Sequence, residues 1–115
     1  MYKGKYSKGQ IFTSPHKDAE HPLVYWKQSV NSQDHFIGLM LTKANIPGKN
    51  IKMKPEHFTD GFIFKDTHVV GTFLDKPNEY EPLKPIGRLT PKGIGYIYDN
   101  IKIDESVLWD EYLKR

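Results

Sequence analysis

The chain contains no cysteine, which excludes disulfides and thiolate metal sites and fits a reducing cytoplasm. It has no run of about 18 apolar residues, so no membrane-spanning segment is predicted. The opening MYKGKYSKGQ is basic but lacks an apolar core, so it is not expected to act as a secretory signal. No His-x-x-x-His or His-Glu-x-x-His pair occurs among the five histidines, and without cysteine a metal would need ligands gathered from distant loops. No metal and no cofactor are therefore expected. There is no G-x-S-x-G elbow, and the only Gly-x-Gly (Gly93 to Gly95) falls within a helical pattern rather than after a strand. Internal repeats and low-complexity segments are also missing.

What is present is short on aliphatic residues and rich in rings. Hydrophobic residues make up 37% of the 115 residues and aromatics 13%, which predicts one domain spanning residues 1–115 with a small core built around aromatic side chains. Seventeen basic residues against fourteen acidic ones give a net charge of +3, a mild bias towards polyanions. Residues 1–8 are polar, Lys-rich and without a period, and are expected to form a loose basic arm.

Short strands are predicted over Gln10 to Thr13 and Leu23 to Gln28, the second rich in strand formers. The polar NSQD, Asn31 to Asp34, reads as the hairpin connection to a third, buried strand, FIGLMLT from Phe36 to Thr42. IKMK (Ile51 to Lys54) alternates, FIF (Phe62 to Phe64) is a further candidate strand, and THVVGTFLD (Thr67 to Asp75) reads as one continuous strand. KPNEYEPLKP reads as a proline-bounded loop. Such a run of short strands predicts a small barrel or sandwich.

Helix is predicted only in the C-terminal part, residues 90–113. Thr90 is a good N-cap and Pro91 suits the first turn, while Ile94, Ile97, Tyr98 and Ile101 fall on one helical stripe. Gly93 and Gly95 each weaken that helix by roughly 1 kcal/mol relative to alanine. A second short helix is expected over Glu105 to Leu113.

AEHPLVYWKQS (Ala19 to Ser29) starts a strand with His-Pro, directly after a loop holding His16 and Lys17. Proline is tolerated at the first strand position and holds His21 extended before it. A turn centred near residue 32 pairs positions summing to about 64, so His21 is expected opposite residue 43, beside Thr42 and Lys43. A histidine, a threonine and lysines suit cleavage of RNA by attack of the 2′-hydroxyl on phosphorus, which needs proton transfer and cations near the charged oxygens. The plainer alternative is an ordinary half-exposed strand end. His35, His57 and His68 read as satisfied structural residues, Arg88 as an anchor of the helix start, and Trp26 with the FIF aromatics as core.

KGQIF, EHPLVYW, FIGLMLTKA and DTHVVGTFL followed by KPIGRLTPKGIGYIYDNI resemble, in order and approximate spacing over residues 8–101, the MazF/PemK family of toxin endoribonucleases. The closing Gly-x-Leu-Thr-Pro stretch is the most specific of these. The resemblance implies a small SH3-like β-barrel with one or two C-terminal helices. It also implies metal-independent cleavage of single-stranded RNA in the cytoplasm, a homodimer, and an antitoxin protein as partner. By position, His21 and Thr42 are the catalytic pair, and His16, Lys17, Lys27 and Lys43 contact RNA. His21 replaces the family arginine and cannot fork two donors onto a phosphate. Gln10 replaces an aspartate, and the loop after the first strand lacks the usual Gly-rich pattern. A non-catalytic SH3-like barrel that binds RNA or a protein partner is the alternative.

Overall fold

A computed structural model describes residues 6–13, 21–29, 35–77, 84–101 and 107–108. Among the described residues, nine strands form one curled sheet: β1 (Gln10–Thr13), β2 (Leu23–Gln28), β3 (His35–Thr42), β4 (Asn50–Lys52), β5 (Phe58–Thr59), β6 (His68–Val70), β7 (Leu74–Pro77), β8 (Lys84–Leu89) and β9 (Val107–Leu108). The spatial order is β4-β6-β3-β2-β1-β8-β5, with β7 also paired to β3 and β9 to β7. Every pairing is antiparallel except β7 with β9. A 3-10 turn, Pro55–His57, and one helix, α1 (Pro91–Asn100), complete a mainly β, barrel-like fold with a C-terminal helix.

The curl originates in β3. Its His35–Gly38 part pairs with β7, and its Leu41–Thr42 part pairs with β6. The two partners come from the single strand expected over Thr67 to Asp75, which breaks at Gly71. The Gly71 N–H bonds the Lys49 carbonyl at 2.8 Å, one step past the Asn50–Val70 pair of β4 and β6. A Cβ there would meet that carbonyl oxygen at 2.8 Å, so glycine permits the close approach. The chain then buries Phe73 against Trp26, ring centroids 5.2 Å apart, before rejoining β3.

All four residues from Leu23 to Trp26 are buried, because β2 is covered on both faces. Val24 and Trp26 belong to the main core with Ile11, Leu39, Leu41, Phe73 and Ile97. Leu23 and Tyr25 belong to a second cluster with Phe12 and Phe36, capped by Tyr6. Tyr6 meets Phe12 edge-on at 4.8 Å, and Tyr25 stacks on Phe36 at 5.7 Å. Those ring geometries add specificity beyond the area they bury.

Three expectations are corrected. FIF is not a strand: the chain loops through Phe62 to Phe64. The KPNEYEPLKP loop is shorter than expected: Lys76 and Pro77 end β7, and Lys84 and Pro85 open β8, which pairs with β1 and β5. Of the second helix, only Val107 and Leu108 are described, and they are strand, parallel to β7. The NSQD connection, the N-terminal residues 1–5 and most of the KPNEYEPLKP loop lie outside the described residues.

Helix α1 starts as expected. The Thr90 hydroxyl accepts from the Gly93 N–H at 3.1 Å and donates to the Glu56 carbonyl at 3.0 Å, so one side chain caps the helix and ties it to the 3-10 turn. Ile97 and Ile101 face the core, while Tyr98, at the stripe's edge, is exposed. Its hydroxyl accepts from Lys8 Nζ at 2.7 Å, and its ring abuts Trp26.

Beneath the helix start, buried His57 stacks on Tyr96 at 4.4 Å and accepts the Lys54 N–H on Nδ1 at 3.0 Å. Burial holds its pKa below the ordinary histidine value, because the charged form would lose water and the Lys54 bond together. A depressed folded pKa contributes stability above about pH 6.5, the unfolded value, and loses it as pH falls through the folded one. Urea titrations at pH 7 and pH 5 should therefore show a larger acid-side loss for the native protein than for His57→Asn. Equal losses in both proteins would remove His57 from the account.

Candidate functional site

The strand ends that curl together leave a cavity of about 730 Å³ at one end of the β2–β3 pair. His21 and Pro22 line it from the start of β2, and Leu41, Thr42, Lys43 and Ala44 from the end of β3. The loop after β5 supplies Phe62, Ile63, Lys65 and Thr67, and β8 supplies Ile86. One wall is thus apolar, and the rim carries two ammonium groups, an imidazole and two hydroxyls.

The register explains why His21 reaches this place. Leu23 pairs with Met40, Val24 with Leu39 and Tyr25 with Gly38, and the Leu41 N–H continues the ladder to the Pro22 carbonyl at 2.9 Å. Proline accepts in that pair without needing to donate, which is why it is tolerated there. One step further sets His21 opposite Thr42, one residue from the expected position. The difference comes from a bulge: pairing shifts between Tyr25 and Lys27, leaving Trp26 unopposed on β2.

Thr42 is half-buried. Its Oγ1 accepts the Ala44 N–H at 3.1 Å, a local turn that pins the oxygen and leaves its own proton free to be donated. His21 is exposed, as are Lys43 and Lys65. Lys27 is not brought to the cavity. It is exposed six positions along β2 from His21, roughly 20 Å away at strand rise. His16 and Lys17 lie outside the described residues.

The apolar wall was not expected from the sequence, where the FIF aromatics read as core. Asp60 and Gly61 both have positive φ, 58° and 86°, and the Phe62 N–H reaches back to the Thr59 carbonyl at 3.4 Å. That is the primed two-residue turn an Asp-Gly pair encodes, and it is the local signal that could have revealed the loop. Phe62 and Phe64 are half-buried against Phe58, whereas Ile63 between them is 72% exposed at the cavity. Phe62 can cross β8 because residue 87 is glycine; a Cβ at that position would lie 2.5 Å from the Phe62 Cβ. Arg88 does not anchor the helix start. Its Nε lies 3.5 Å from Asp60 Oδ2 and clamps the Asp-Gly turn.

Among the described residues, no group of three or more His, Asp or Glu side chains could hold a metal ion, and no helix is long and apolar enough to cross a membrane. No protein-family model, no curated protein and no solved structure matches the chain.

Proposed function

We propose that the cavity is the active groove of a metal-independent endoribonuclease acting on single-stranded RNA. The observation that carries it is the meeting of His21 and Thr42, from two adjacent strand ends, on one cavity with Lys43 and Lys65. The lysines offset the phosphate charge. The apolar wall of Phe62 and Ile63 offers a face for an unstacked base. Thr42, whose hydroxyl keeps its proton, hydrogen-bonds the reacting ribose-phosphate. His21, exposed to solvent, transfers a proton without the help of a metal. The resemblance to MazF/PemK toxins adds a homodimer and an antitoxin that blocks the groove to this proposal.

Purified protein incubated with RNA in EDTA is expected to cleave it, and His21→Ala and Thr42→Ala to cleave at least about a hundredfold more slowly. Equal rates for all three proteins would refute the assignment. A second reading, an RNA-binding barrel that does not cut, is favoured by the imidazole in place of a guanidinium. It predicts salt-sensitive binding of intact RNA with no cleavage products.

A further inference from the structure

The cavity holds a second hydroxyl that the cleavage step does not use. Thr67 lines the cavity and is 6% exposed. Its carbonyl accepts the Met53 N–H at 3.1 Å, one step past the Lys52–His68 pair of β4 and β6. Strand alternation therefore extends to Thr67, which shares a face with Val69. Val69 belongs to the main core with Leu41 and Met53. The Thr67 side chain thus stands at the open end of that core, where Leu41 also reaches the cavity.

The local chain fixes this hydroxyl. Asp66, just before it, has a left-handed backbone, φ 49°, uncommon for a residue with a side chain. Its carbonyl lies 2.7 Å from Nδ1 of buried His68 and can only accept, so Nδ1 donates and holds the turn. Thr67 Oγ1 in turn accepts the Lys65 N–H at 3.4 Å, and among the described residues nothing accepts the hydroxyl's own proton. The other polar groups nearby are also donors. Lys43 and Lys65 carry ammonium groups, which cannot accept, and no lining residue has a carboxylate or a side-chain amide. Phe62 and Ile63 supply a face for stacking but no hydrogen bond from their side chains.

We propose that Thr67 selects the base of the nucleotide whose 2′-oxygen attacks, by donating its hydroxyl proton to an exocyclic carbonyl oxygen. The inference rests on the nuclease assignment of the cavity and adds the substrate class that site prefers. The ribose held by Thr42 carries its base with it, so the cavity that holds the one receives the other. Uracil presents an oxygen where cytosine presents an amino group, and guanine presents one where adenine does. An oxygen at that position accepts from Thr67 and lies favourably in the field of the two ammonium groups. An amino group there would set its hydrogens against a hydroxyl proton and two cations. Such a mismatch leaves buried polar groups unpaired, which is the strongest basis a site has for rejecting an analogue.

Cleavage of a pool of random-sequence single-stranded RNA, followed by sequencing of the new 3′ ends, provides the test. The base at each new 3′ end belongs to the nucleotide whose 2′-oxygen attacked. For the native protein, uracil over cytosine or guanine over adenine is expected to be enriched at least about tenfold relative to the uncut pool. The pair that carries the enrichment tells uracil from guanine. Thr67→Val keeps the shape and removes the hydroxyl, and should bring both ratios close to those of the uncut pool. Thr67→Ser should retain the enrichment, because the hydroxyl remains. Each ratio compares bases cut by one protein sample, so it does not depend on the fraction folded. No enrichment, enrichment of cytosine or adenine, or a native ratio in Thr67→Val would each overturn base selection by Thr67 while leaving the nuclease assignment standing. Failure of the native protein to cleave the pool would overturn both.

Discussion

Gly93→Ala should destabilise the protein by about 3 kcal/mol, lowering Tm by roughly 10 °C, whereas Gly95→Ala should stabilise it by about 1 kcal/mol. Helix propensity alone assigns the same gain to both, since each glycine sits inside α1. The surroundings reverse the first sign. A Cβ on Gly93 would lie 2.5 Å from the His57 carbonyl oxygen and 3.2 Å from its Cβ, whereas one on Gly95 would meet nothing within 4 Å. The contact at Gly93 is with backbone, so no side-chain rotation relieves it. The helix would have to lift off the 3-10 turn. That would weaken the Thr90 N–H bond to the His57 carbonyl, 2.9 Å, and the stacking of Tyr96 on His57. Thermal unfolding of the two variants decides the matter, and equal shifts in the same direction would refute the packing account.

Asp75→Ala is expected to cost about 3 kcal/mol in urea denaturation, with Asp75→Asn less damaging. Asp75 is 2% exposed on β7. Its Oδ2 accepts from the Ser29 hydroxyl at 2.8 Å, and its Oδ1 from His35 Nδ1 at 2.9 Å. The carboxylate thus joins the end of β2 and the start of β3 to β7, at the end of the β2–β3 pair opposite the cavity. Alanine would leave the Ser29 hydroxyl, itself buried, without this acceptor and open a void beside it. Asparagine keeps the volume and one acceptor, so the difference between the two variants isolates the void and the lost acceptor, and the cost of asparagine against the native protein reads the loss of charge. A cost below about 1 kcal/mol for alanine would show that the cluster contributes little net stability.

Where local chemistry dominates, the sequence was readable. Strands Gln10–Thr13 and Leu23–Gln28 appear with the boundaries their composition predicts, and Thr90-Pro91 starts α1. The approach of His21 to Thr42 followed from hairpin counting, with an error of one residue. That error has a physical source, since Trp26 steps out of the ladder to fill the core beside Phe73 and Tyr98. Lys27 shows the opposite case: it is near His21 in sequence but is carried away by strand rise.

Composition, strand-forming runs and the threonine cap determined by themselves that this chain is a mainly β domain with a helix near its C-terminal end, because those signals act within a few residues. The tertiary structure alone decided the rest. KPIGRL became a strand because β1 and β5 needed a partner between them. THVVGTFLD broke in two because its halves pair with different parts of β3 in different registers. Ile63 stayed out of the core because an Asp-Gly turn and Gly87 steer Phe62 inward ahead of it. His68 came to pair with Thr42 because β6 lies beside β3, a contact between residues far apart in the chain, made where the folded chain returns on itself and beyond the reach of any local pattern.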